Sequence, residues 1–160
     1  MKKKLTFTIL FVAILLLTTV ASAAAGPKTA FRARLGGDAL GSDAHGNAVF
    51  VFAADGSQMS YKLVVNGLDN TTMAHIHVAA VPGGDGPPVL WLYPDAPPPT
   101  LIPGTFNGLL GSRTVTPADL TGAAGVTSFE DLLTAIAEGR AYVNVHTTAF
   151  PGGEIRGTIR

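Results

Sequence analysis

From Phe31 onward apolar and polar positions alternate. Phe31, Ala33 and Leu35 sit between Arg32 and Arg34, the two-residue period of a strand with one face on a core and the other in water. The Gly-rich stretch 36–46 interrupts that period and predicts a loop. Segments 47–54 and 58–66 restore it on either side of Asp55-Gly56, a dipeptide suited to a tight hairpin turn, and Asn66-Gly67 predicts the end of the second of them. Further strands are predicted over 72–79, 88–93, 106–110, 113–115, 141–147 and 154–160. Segment 94–103 holds five prolines, which cannot donate a ladder of backbone hydrogen bonds, so it predicts an extended surface loop.

Helical signals are confined to 116–138. Thr116-Pro117 offers a cap followed by proline at the first helical position, and Ser128 precedes Phe129-Glu130-Asp131, a cap with acids in the first turn. Leu132, Leu133 and Ile136 recur at helical spacing and Gly139 ends the segment. Seven or eight short strands with one or two short helices in a connection predict an all-β fold, an antiparallel sandwich or barrel, in one domain without internal repeats.

The first residues follow another pattern. Lys2, Lys3 and Lys4 precede an uncharged apolar run from Leu5 to Val20, and Ala21-Ser22-Ala23 supplies small residues at its exit. Residues 1–23 are therefore expected to be a secretory signal peptide, cleaved after Ala23 or Ala25, with a retained anchor as the rival. No later stretch is long and apolar enough to span a membrane. The expected mature segment 24–160 carries 8 basic and 11 acidic side chains, a formal charge of −3, which argues against a nucleic-acid partner. The chain has no Cys, so thiolate nucleophiles, zinc knuckles and disulfides are excluded.

The chemistry then rests on the four histidines. His75 and His77 are one residue apart on a predicted strand and leave the same face, while Ala74, Ile76 and Val78 leave the other and belong to the core. In 141–147 Val143 and Val145 point inward, which sends Tyr142, Asn144 and His146 outward with the histidine pair. If the two strands are neighbours, His75, His77 and His146 form a three-nitrogen site suited to copper or zinc, on the outer face or in a loop-covered groove. The plain alternative is three hydrogen-bonded surface histidines. Asp85 and Glu154, in nearby turns, are candidate acceptors for an imidazole N–H. Glu154 and Arg156 share a face of the last strand, where an ion pair or a brace on the His146 strand is expected. His45 is expected to be solvated. No nucleophile elbow, Walker-type loop, H-E-x-x-H or dinucleotide fingerprint is present, and the carboxylates are too scattered for a paired-acid site.

Four segments together resemble a known family. Ala74-His75-Ile76-His77, Gly84-Asp85-Gly86-Pro87-Pro88-Val89, 139–147 (GRAYVNVHT) and 151–157 (PGGEIRG) are similar to the CHRD domain, named from the extracellular growth-factor antagonist chordin and found also as a single secreted domain in bacteria. The resemblance covers about residues 29–160. It implies an immunoglobulin-like or superoxide-dismutase-like sandwich or barrel and an extracytoplasmic location, in the periplasm, at the cell surface or in the medium. It carries no settled activity. The dismutase also uses H-x-H and a later His for copper, but this sequence lacks a bridging His, a zinc-loop His cluster and a disulfide, so that activity is not transferred. Two expectations remain. One is a non-enzymatic binding module with copper or zinc on His75, His77 and His146; the other is a metal-free interaction domain in which the Pro-rich loop, with Trp91 and Tyr93 beside it, meets a protein or glycan. A mononuclear copper redox enzyme comes third.

Overall fold

The computed structural model describes residues 29–160, so the expected leader 1–23 lies outside the described residues. Among the described residues the fold is made of seven antiparallel strands and one α-helix: β1 (Thr29–Gly37), β2 (Ser42–Phe52), β3 (Met59–Val78), β4 (Pro88–Tyr93), β5 (Ile102–Val115), α1 (Phe129–Ala137), β6 (Ala141–Thr147) and β7 (Ile155–Thr158). Pairings run β2-β1-β7-β6-β3, and β3 returns to β2, which closes the sheet into a barrel with few free edges. The all-β expectation holds, in the form of a closed barrel.

Closure depends on the length of β3. Its first half pairs with β2 through His45↔Asn66 to Phe52↔Met59, and its second half pairs with β6 through Thr71↔Thr147 to Val78↔Ala141. β5 and then β4 take its opposite edge. Two predicted strands are therefore one. Asn66-Gly67 does not stop the chain, because Gly67 (φ 74°) and Asn70 (φ 53°) accommodate register shifts between Val65 and Leu68 and between Asp69 and Thr71, bulges that bend a strand without ending it. Segments 106–110 and 113–115 likewise merge into β5.

The predicted loop 36–46 is also mostly strand. β1 continues to Gly37, a single 3-10 turn spans Asp38–Leu40, and β2 starts at Ser42. Ala44 is buried there, as is Ala48 further along, and so small an inward residue among glycines gives almost no hydrophobic period to read. The hairpin at Asp55-Gly56 forms as expected, with Ala53 N–H donating to Gln58 O. The Pro-rich segment stays irregular until Ile102.

Phe50, Met59, Leu63, Ile76, Leu90, Leu92, Ile155 and Ile159 fill the barrel and are essentially inaccessible to water. α1 covers one end. Ser128 and Asp131 exchange hydrogen bonds as a capping box, a device worth about 1 kcal/mol, and Phe129, Leu132, Ala135 and Ile136 form the buried stripe. Phe129 meets Phe52 edge to face at 5.6 Å, and Phe52 meets Phe31 at 5.7 Å. Thr116-Pro117 starts only a 3-10 turn, Pro117–Asp119. Among the described residues no helix is long and apolar enough to cross a membrane.

Candidate metal centre

β3 and β6 are neighbours, as the histidine reading required. Their register places Met73 opposite His146, His75 opposite Asn144 and His77 opposite Tyr142, so His146 lies diagonally across the strand pair from His75, within reach of long side chains. Ala74, Ile76, Val143 and Val145 point into the core. One nitrogen from each of His75, His77 and His146 lies within 4.8 Å of the other two.

The three rings point away from the core yet are buried, at 3%, 7% and 5% exposure, so the covered groove is the correct version of the expectation. Three elements cover them. Trp91 on β4, opposite His75 in register, meets that ring at right angles with the ring centroids 4.2 Å apart. The 82–86 turn folds over His77, and the 150–153 turn folds over His146. Both turns need a residue without Cβ: at Gly86 a Cβ would run into the Val78 carbonyl, and at Gly153 into the Asn144 side chain. Asn144 Nδ2 donates to Gly152 O at 3.0 Å, fixing the second turn. Trp91 thus packs on the histidine cluster.

The hydrogen bonds assign the tautomers. A carbonyl only accepts, so His77 Nδ1 donates to Gly86 O (2.8 Å) and His146 Nδ1 donates to Pro151 O (2.9 Å). Each neutral ring then has a bare Nε2. The nitrogen at His146 Nε2 can only accept, so His75 Nδ1 donates to it at 3.3 Å, which leaves His75 Nε2 bare as well. His75 Nε2 and His77 Nε2 are buried without any partner among the described residues.

Burial holds all three rings in the neutral form. The His75 pKa falls from 6.5 to about 3, first through loss of hydration and then through His146 and His77. Those of His77 and His146 are lowered too, mainly by burial, against the opposing effect of the Gly86 and Pro151 carbonyls. At His77 the Arg156 guanidinium lowers and the Asp85 carboxylate raises the value by smaller amounts.

The acceptors anticipated for the imidazole N–H groups are corrected. Gly86 O and Pro151 O take those protons; Asp85 and Glu154 do not. Glu154 is buried and accepts from Ser42 Oγ and Thr147 Oγ1, both at 2.7 Å, because the chain before β7 aims its carboxylate between β2 and β6. It is a brace on the His146 strand. Arg156 pairs with Asp85 at 2.7 Å, not with Glu154, and its Nη2 donates to Gly84 O. The Arg156 guanidinium lies 4.0 Å over the Tyr142 ring, which stacks on His77 at 5.1 Å. Glu154 precedes β7, which begins at Ile155, so the two-residue period that would set it beside Arg156 does not extend to it. His45 is exposed, and its ring Nδ1 bonds to Asp43 O. The backbone carbonyls that orient the rings left no trace in side-chain pattern.

The CHRD domain family model matches residues 31–159. The chain belongs to the CHRD domain family. Searches of curated proteins and of solved structures give no match. In this CHRD domain, 74–77, 84–86, 142–146 and 151–156, all within the segments that carried the resemblance, assemble around the three rings or strap them down.

Proposed function

We propose that this CHRD domain is an extracytoplasmic, non-enzymatic module that holds one copper or zinc ion on His75, His77 and His146. The observation that carries the reading is the pair of buried, partnerless lone pairs at His75 Nε2 and His77 Nε2 beside the third ring. A buried acceptor without a donor costs about 1–3 kcal/mol, and a cation satisfies both at once. His77 and His146 already donate their other N–H to carbonyls, the usual support of a ligating imidazole. Neutral rings need lose no proton to bind.

The chain's own contribution is to keep the rings dry, neutral and oriented. A bound ion would supply a cross-link between β3 and β6.

Metal analysis of tag-free protein after loading with copper or zinc and desalting tests this. About one equivalent is expected in the parent and in His45→Ala, and none in His75→Ala/His77→Ala/His146→Ala, with a raised unfolding temperature only where metal is retained. Absence of metal from the parent overturns the proposal.

A further inference from the structure

The described cations divide into two groups. Arg113, Arg140 and Arg156 are each paired with a carboxylate. Arg32, Arg34, Lys62 and Arg160 are exposed and have no acid within 4.0 Å among the described residues, and residues 1–28 contain no Asp or Glu.

All four unpaired cations share one outer face. Arg32 and Arg160 exchange backbone hydrogen bonds at 2.7 and 2.8 Å, which sets them side by side. Arg32 lies opposite Val49 on β2, and Val49 lies opposite Lys62 on β3. One row across the sheet therefore reads Arg160, Arg32, Val49, Lys62, with Arg34 in the next row beside Asn47. Steps are about 4.8 Å between strands and about 6.7 Å along one. Like charges so close repel unless an anion lies among them. Asp43, the acid on the outer row of β2, is four residues beyond Asn47, about 13 Å away along the strand. Between the arginines runs an open groove of about 710 Å³, lined also by Asn47, Val49 and Thr158.

We propose that this groove binds a linear acidic polysaccharide, a sugar chain with carboxylate or sulfate groups spaced along it. Guanidinium forks pair with either oxyanion, and Asn47 and Thr158 supply partners for sugar hydroxyls. β1 is paired on both edges, with β2 and β7, so a peptide cannot add there as a strand. The groove lining contains no aromatic ring on which nucleic-acid bases stack. The concave shape suits a chain better than the plane of a bilayer.

The test measures binding of the whole protein, in EDTA so that the histidine cluster plays no part, to polyuronate, dextran sulfate and neutral dextran at low and raised salt. Binding to at least one acidic polymer and not to neutral dextran is expected, weakening with salt. Arg32→Gln/Arg34→Gln/Arg160→Gln should weaken it about tenfold. Arg113→Gln, the same kind of charge loss away from this face, should weaken it less than about twofold, with thermal unfolding confirming that both variants fold. No binding to either acidic polymer, equal binding to neutral dextran, or equal loss in the two variants overturns the proposal. Tighter binding to single-stranded DNA, polyglutamate or anionic vesicles overturns the choice of ligand. Preference between polyuronate and dextran sulfate assigns the anionic group.

Discussion

Along β2 burial changes with nearly every residue, and His45, Asn47 and Val49 look out to water, whereas along β6 all seven residues are buried. Both strands obey the same pleat, and both send alternate side chains away from the core. The difference lies above them. Over β6 the turns 82–86 and 150–153 and the Trp91 indole form a second layer, and over β2 there is none among the described residues. Side-chain direction is set by the strand itself; whether an outward row is wet is decided by loops distant in sequence.

Removing the cover should have the largest effect. Gly86→Ala forces a Cβ against the Val78 carbonyl, and an overlap with backbone cannot be relieved by a side-chain rotation. A loss of about 3 kcal/mol is expected in urea unfolding, with metal retention lost in the same variant. Acid should come next. The folded state holds the His75 pKa near 3 against 6.5 unfolded, so below about pH 6.5 the unfolded chain binds more protons and stability falls with falling pH. His75 alone accounts for about 2 kcal/mol between pH 7 and pH 5. Urea midpoints across that range should show the loss in the parent and in His45→Gln, and a smaller loss in His75→Phe.

Glu154→Gln weakens the brace beneath the second turn by replacing a carboxylate that accepts two hydroxyl protons. About 1 kcal/mol of stability should go, read from the same titration. The smallest effect belongs to the open row, where Arg34→Gln should leave folding stability within about 0.5 kcal/mol and metal retention unchanged. A large stability loss there would erase the contrast between the two faces.

How much of this was legible in the sequence follows the same division. The Asp55-Gly56 hairpin, the Ser128 cap and the outward direction of His75, His77 and His146 are local facts, written in a dipeptide, a capping box and a period of two. Their convergence is not local, since it needs β3 beside β6, a pairing across some seventy residues. The 36–46 segment misled because Ala44 is too small to mark a period among glycines. Asn66-Gly67 misled because the residues that close a turn also make a bulge. The ring-orienting acceptors at Gly86 and Pro151 are main-chain atoms, which every residue possesses, so the carboxylates Asp85 and Glu154 drew an inference that belonged to the backbone.

β3 also changes phase along its length. In its first half the core-facing residues are odd-numbered, Met59, Tyr61, Leu63 and Val65; after Leu68 and Thr71 they are even-numbered, Ala74, Ile76 and Val78. The irregular stretch between is a parity switch. Without it, a strand that keeps Tyr61 and Leu63 inside would carry His75 and His77 inside as well and turn Ile76 out. Lys62 on the basic face and His75 on the covered face thus share an outward direction only because the frame is reset between them. Loss of Gly67 or Asn70 alone would break that frame, although no histidine and no core side chain would have been touched.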